Sequence, residues 1–247
     1  MVHVPFNHKD KIIAENEKMN KRILELEQFI YCCTHDLKEP LRSLSGFTQL
    51  LLKRNADVFD EESVEYITHV LKNVSRMNTL ITDIFSYSKI NDNIAHIQVV
   101  NLNTLITEIR EILAFRLEES NATLTIDHMP LVHGDLIKIR QIFLNLLSNA
   151  IKFRAQTPLH ISIKGKTIGQ FVTIRISDNG IGINEAYHQI IFEPFKRLNP
   201  HVLYDGSGIG LAIVKRNIEA HNGTIYVASN PSGGTEFIFT LPCVRRA

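Results

Sequence analysis

The chain has 247 residues, 44% of them hydrophobic and 21% charged, with a formal net charge of +1. That is enough chain for two domains of ordinary soluble-protein composition. The charge is too balanced for bulk attraction to nucleic acid or to an acidic membrane surface, so neither is expected as a partner. The apolar runs are short and broken by charge, which argues against membrane insertion, and residues 1–6 lack a signal-peptide pattern. Three cysteines, Cys32, Cys33 and Cys243, make no disulfide framework, and a reducing cytoplasm is the expected compartment. Cys32, Cys33 and His35 lie close enough to suggest metal ligands, but no second cluster with zinc spacing accompanies them.

In residues 10–33, Ile12, Met19, Leu26 and Cys33 recur every seven positions, with Asn16, Ile23 and Ile30 interleaved. This is a coiled-coil stripe, and its narrowness and Lys/Glu flanks favour a parallel dimer seam over a helix packed on its own domain. Asn16 is then the polar seam residue that fixes register. The stripe runs into residues 31–42, where Ile30, Cys33, Leu37, Leu41, Leu44 and Leu51 predict one buried helix face. His35, Glu39, Arg42, Gly46 and Gln49 fall on the wet face. Pro40 deprives the Asp36 carbonyl of its helical partner and predicts a point where the helix bends. An exposed His35 followed by Asp36 suits a nucleophile, although the pair alone reads more readily as an idle surface histidine. The helix is expected to end near Arg54, turn over residues 55–60, and return with Val64, Ile67, Leu71, Val74, Ile81 and Phe85 as its stripe. One hairpin cannot cover both apolar stripes; two hairpins form a four-helix bundle, which predicts a homodimer.

Asn91-Asp92-Asn93 reads as a linker, after which the texture changes. Strands are predicted at 96–100, 122–126, 159–166, 171–177, 224–229 and 235–241. Helices are predicted from a cap at Asn101 or Asn103 to about 118, over 135–153 and over 208–221. The fold class is therefore α+β: a long helical hairpin forming a dimeric four-helix bundle, followed by an α/β sandwich.

Within helix 135–153, Ile139, Phe143, Leu146, Ala150 and Phe153 form the apolar stripe, and Asn145, Asn149 and Lys152 share another face. Two amides and an ammonium suit a metal-phosphate group, since amide oxygens ligate Mg²⁺ and Lys meets phosphate; a merely solvated face fits that helix as well. A strand then delivers Asp178-Asn179-Gly180-Ile181-Gly182, where glycines let a flat ring approach the backbone and an acceptor-only carboxylate suits an exocyclic amine. Gly206, Gly208, Gly210 and Leu211 open the last helix as a phosphate cradle. The spacing is not that of a dinucleotide fingerprint, and no P-loop occurs anywhere. Residues 183–204, with Phe192-Glu193-Pro194-Phe195-Lys196-Arg197-Leu198, lie between glycine turns and suit a lid.

The ordered set comprises His35-Asp36 with Pro40, Asn145 to Asn149 with Lys152-Phe153, Asp178-x-Gly180-x-Gly182, Phe192-x-x-Phe195 and Gly206-x-Gly208-x-Gly210-Leu211. It resembles the sensor histidine kinases of two-component signalling over residues 10–242. The wording around His35, with Phe195-Lys196-Arg197-Leu198, is most similar to the phytochrome-type branch. The resemblance implies three parts: an N-terminal coiled-coil helix (1–30), a dimerisation and phosphotransfer hairpin (31–92), and a Bergerat-type ATP-binding domain (93–247). It implies autophosphorylation of His35 from ATP with Mg²⁺, followed by transfer to an aspartate of a response-regulator receiver domain. Asp36 would orient His35 or take its proton. Asn149 with Asn145 would hold Mg²⁺, Lys152 would touch phosphate and Asp178 would read adenine, with Gly180 and Gly182 beside it. Gly206, Gly208, Gly210 and Leu211 would wrap the phosphates, and Thr235 matches a family position near the base. Glu39 departs from the Thr or Asn that many members carry there, which sets regulator phosphatase activity in doubt. No recognisable sensor or receiver accompanies these parts. Stimulus, cognate regulator and transfer within or between protomers are not legible. Two other classes compete: an ATP-binding scaffold without phosphotransfer, and an ATPase that drives a conformational cycle.

Overall fold

The computed structural model describes residues 8–55, 57–88, 96–198, 207–230 and 233–244, so the expected linker at 91–93 and Gly206 lie outside it. Contacts divide the chain into two units, Met1–Lys89 and Ile90–Ala247.

The first unit is a helical hairpin. Helix α1 (His8–Arg54) runs 47 residues through both the coiled-coil stripe and His35. Pro40 lies inside it and does not end it, because a single proline withdraws one donor while the flanking turns keep theirs. At Asn55 the side chain donates to the Leu51 carbonyl (3.0 Å), and Asp60 accepts from the Ser63 N–H (2.9 Å) to open α2 (Glu61–Ser88). Leu41, Val74 and Thr34 are buried between the helices, and Tyr31 meets Phe85 with ring centroids 5.7 Å apart. The stripe expected to be one buried face divides. Leu41 is buried, whereas Leu37, Leu44 and Leu51 are 53%, 48% and 50% exposed. Gly46, placed on the wet face by spacing, is half-buried. Seven-residue spacing cannot distinguish the side facing α2 from the side left for something else.

The second unit is a two-layer sandwich. Its elements are β1 (Gln98–Asn101), α3 (Leu102–Ile112), α4 (Ala114–Glu119), β2 (Thr123–Ile126), β3 (Leu131–Gly134), α5 (Leu136–Lys152), β4 (His160–Ile168), β5 (Phe171–Asp178), α6 (Gly210–Ala220), β6 (Ile225–Ser229) and β7 (Thr235–Pro242). The main sheet has order β2-β4-β5-β7-β6, with β2 and β4 parallel and the remaining pairs antiparallel. A small β1–β3 pair joins it through a bridge between Val132 and Cys243. Strand β3 escaped the sequence reading because Leu131-Val132-His133-Gly134 is too short to show a period. The helix expected from a cap near 101 to about 118 breaks at Leu113 into α3 and α4.

Period 2 accounts for the packing. Val172, Ile174 and Ile176 of β5 face the helices, while Arg175 and Ser177 face the other way and bond Glu236 (2.7 and 2.9 Å). Against the inner face lie Leu105, Ile106 and Ile109 of α3, then Ile139, Phe143 and Leu146 of α5, and Val214 and Ile218 of α6. Phe143 meets Phe239 edge-on with centroids 5.8 Å apart. Caps fix the helix starts: Asn101 accepts from the Asn103 and Thr104 N–H groups, and Asp135 from those of Ile137 and Lys138. Asn121 and Asn222, at φ +47° and +56°, stop α4 and α6 in the left-handed region that asparagine tolerates.

Candidate functional site

His35 stands out from α1 with its side chain 71% exposed, and its Nδ1 lies 3.3 Å from Asp36 Oδ1. A proton on Nδ1 would donate to that carboxylate and leave Nε2 with a free lone pair. This is the tautomer of a nitrogen nucleophile. Among the described residues, no three His, Cys, Asp or Glu side chains converge as a metal site; Cys32 is exposed and Cys33 half-buried on α1.

In the second unit, α5 is the wall along which the other site residues gather. Its apolar stripe (Ile139, Phe143, Leu146 and Ala150) is buried as expected, and Phe153 is half-buried. Asn145, Asn149 and Lys152 lie half-buried along another face. The Asn145 amide donates to the Gly210 carbonyl (3.3 Å), which docks the start of α6 and leaves the amide oxygen as the group to offer a cation. The Lys152 ammonium lies 4.4 Å from the Phe153 ring centroid.

Asp178 ends β5, only 7% exposed. Its Oδ1 accepts from the Gly180 N–H (2.8 Å) and the Thr235 N–H (3.3 Å), so the carboxylate is pinned and the second oxygen remains to accept from a ligand. Burial pushes its pKa up, and the two backbone donors partly offset that. The turn after it is crowded by backbone. A Cβ on Gly180 would meet the Phe153 carbonyl at 2.4 Å, and one on Gly234, at φ +90°, would meet the Asp178 carbonyl at 2.2 Å. Gly182 has φ +74°. Phe153 also accepts from the Ile181 N–H (3.0 Å), tying the end of α5 to this turn. The structure therefore brings Asp178, Gly180, Gly182 and Thr235 together. The sequence reading missed Asn230, whose side chain donates to the Asp178 carbonyl (2.9 Å), and Gly234. Both sit in the 230–234 turn, and the doubled glycine was the available signal.

At the head of α6, Gly208 has φ +76°, its carbonyl accepts from the Phe195 N–H (3.0 Å), and the Ile209 N–H donates to Ser207 Oγ (3.2 Å). Gly210 and Leu211 form the first turn. Of the expected lid, residues 199–204 lie outside the described residues; the part before them carries short 3₁₀ turns at Glu185–Tyr187 and Ile190–Phe192, with Phe192 packed on Phe237. Phe195 holds φ +64°, a strained angle for a bulky residue, and it sits where the lid crosses the glycine turn.

Residues 25–93 match the His Kinase A (phospho-acceptor) domain, and residues 134–245 match the histidine kinase-, DNA gyrase B- and HSP90-like ATPase family. The first match contains His35, and the second contains α5, Asp178 and the glycine turn. The chain belongs to the sensor histidine kinases, on their phytochrome-like branch. It is 37% identical to the phytochrome-like protein Cph1 of Synechocystis sp. over 88% of this chain and 29% of that protein. To cyanobacterial phytochrome A of Nostoc sp. it is 34% identical over 98% of this chain and 32% of that protein. It thus spans about a third of the length of these relatives. Among solved structures, full-length ShkA in complex with AMPPNP matches with a TM-score of 0.71 and 25% identity, over 89% of this chain and 46% of that one. No helix of this histidine kinase, among the described residues, is long and apolar enough to cross a membrane.

Proposed function

We propose that this chain is the transmitter core of a protein histidine kinase: it phosphorylates His35 from ATP and passes the phosphoryl group to an aspartate of a response-regulator receiver domain. The observation that carries the reading is an exposed His35–Asp36 pair on one unit and a pinned, buried Asp178 with a glycine-headed α6 on the other. His35 Nε2 attacks the γ-phosphorus while the bond to the bridging oxygen breaks and ADP leaves. Asp36 takes the Nδ1 proton, leaving an uncharged imidazole ring that carries the anionic phosphoryl group on Nε2. The Asp178 carboxylate accepts from the adenine amine with Thr235, Gly180 and Gly182 around the ring. Gly206, Gly208, Gly210 and Leu211 present backbone N–H groups to phosphate, and Lys152 adds a cation.

The donor chemistry of α5 fits a divalent cation. The amide oxygens of Asn149 and Asn145 are hard, neutral ligands, and Mg²⁺, when bound, supplies charge neutralisation between the phosphates. Residues 1–30 serve as a coiled coil, 31–92 as the phosphotransfer hairpin and 93–247 as the ATP-binding domain, in a cytoplasmic setting. The hairpin works as a homodimer. Leu37, Leu44, Phe47 and Leu51 on α1 and Tyr66, Val70, Met77 and Ile84 on α2 are exposed in one chain, and a second hairpin covers both stripes.

Incubation with γ-labelled ATP and Mg²⁺, wild type beside His35→Gln, tests the reading. Acid-labile, base-stable label present in the wild type and absent from the variant is the expected result. Nucleotide binding without label supports a scaffold instead, and label persisting in His35→Gln removes His35 as the acceptor.

A further inference from the structure

Helices α5 and α6 are joined by more than apolar contact. Three polar rungs cross between them. Asn145 Nδ2 donates to the Gly210 carbonyl (3.3 Å) at the glycine-headed end. Asn217 Nδ2 donates to Gln141 Oε1 (3.2 Å) in the middle. At the far end, His221 Nε2 accepts from the Asp135 backbone N–H (2.9 Å) at the start of α5. The other face of that imidazole is also committed, because Nδ1 lies 2.6 Å from the Asn217 carbonyl and must donate to it. The ring is 1% exposed and lies flush against Gly134, where a Cβ would meet it at 2.5 Å. Asn217 is fully buried, and its Oδ1 has no hydrogen-bond partner among the described residues. A buried acceptor left unpaired costs stability, and an apolar pair of similar volume avoids that cost. Rungs of this kind fix the register of one helix on another, which apolar side chains leave free to slide.

We propose that His221, with the Asn217–Gln141 rung, is a positioning residue for nucleotide binding: it holds α6, which carries the phosphate-facing glycines, at a set register on α5, which carries Asn149 and Lys152. The inference rests on the nucleotide-site reading above. The rung requires a neutral imidazole, since a proton on Nε2 sets two donors face to face. Burial holds His221 below the ordinary histidine range; the bond to Asn217 opposes this, Lys138 adds to it, and Asp135 opposes it. The charged groups facing the ring are thus Asp135 and Lys138, both at the start of α5. A depressed histidine pKa means that the unfolded chain binds the proton first. The stability held by the rung is present above about pH 6.5 and is lost as pH falls below it.

The test is the KM and kcat of autophosphorylation with Mg²⁺-ATP, together with binding of a fluorescent ATP analogue, on the full chain at several pH values. His221→Phe fills the volume but leaves the Asp135 N–H unpaired. It is expected to raise KM and the analogue's Kd about tenfold with kcat within about twofold. His221→Gln keeps an acceptor that does not titrate. It is expected to bind as wild type near neutrality and to lose the wild-type rise in KM that sets in as pH falls through the depressed pKa of His221, below the ordinary histidine range. Gln141→Leu, at a half-buried position, shifts KM the same way by less. Wild-type KM in His221→Phe, or an acid-side rise kept in His221→Gln, overturns the proposal. Failure of the wild type itself to bind the analogue overturns the site reading on which the proposal rests, a result distinct from a variant that binds as well as the wild type.

Discussion

The hairpin and the sandwich are built from similar residues and finish in opposite states. In the sandwich, Phe143, Phe239, Ile139 and Val214 are wholly buried, and 29 of the described residues form one contiguous apolar cluster. In the hairpin the buried apolar side chains among the described residues are Leu41 and Val74, while Leu44, Phe47, Leu51 and Met77 stay 48%, 73%, 50% and 50% exposed. A sheet with helices on one face closes its own core. A helix pair buries one stripe and leaves the other for a neighbour. The difference separates two tasks. The closed unit holds its glycine turns in fixed geometry, and the open unit presents an exposed His35 and leaves apolar surface that it does not cover itself.

Three variants break or sharpen that contrast, taken from the largest effect down. Leu44→Asp with Phe47→Asp places charge in the open stripe. Equilibrium sedimentation is expected to show monomer where wild type is dimer, with nucleotide affinity unchanged. A wild-type dimer surviving both charges places the interface elsewhere. Phe143→Ala does the reverse. It opens a cavity in the closed core and should cost about 3–5 kcal/mol in unfolding experiments while hairpin association is retained. Asp178→Asn is the subtlest. Burial raises the pKa of Asp178, so the native state holds its proton more tightly than the unfolded chain. Stability therefore falls as pH rises through the carboxylate range, and at neutral pH the charged form is a net cost. Asparagine keeps the oxygen that accepts from Gly180 and Thr235 and removes the charge. The nucleotide-free variant should melt no lower than wild type, yet lose at least about tenfold in ATP affinity. A lower melting temperature without nucleotide contradicts this account of Asp178.

Much of the fold was legible from period alone. The α5 stripe, the β4–β5 pair and the β6–β7 pair follow from apolar spacing bounded by Asn, Asp and Gly, because capping and turn chemistry act over a few residues. Short pieces without a period, β3 and the 3₁₀ turns of the lid segment, were not legible. For the site, Asp178, Gly180 and Gly208 announced themselves as acid and glycine in local patterns. Asn230, Gly234 and His221 act across gaps of 52 residues or more, through contacts that no local pattern encodes.

The residues by themselves determined which segments are amphipathic, where capped helices begin, and which side chains carry chemistry, since each of these depends on neighbours along the chain. Only the tertiary structure decided which half of the α1 stripe faces α2 and which stays open, that Phe153 and Gly234 close on the Asp178 turn, and that a buried imidazole pins α6 to α5. Those outcomes depend on the direction from which a distant element arrives. Packing sets that direction by excluding overlap and pairing buried polar groups, and linear spacing does not contain it.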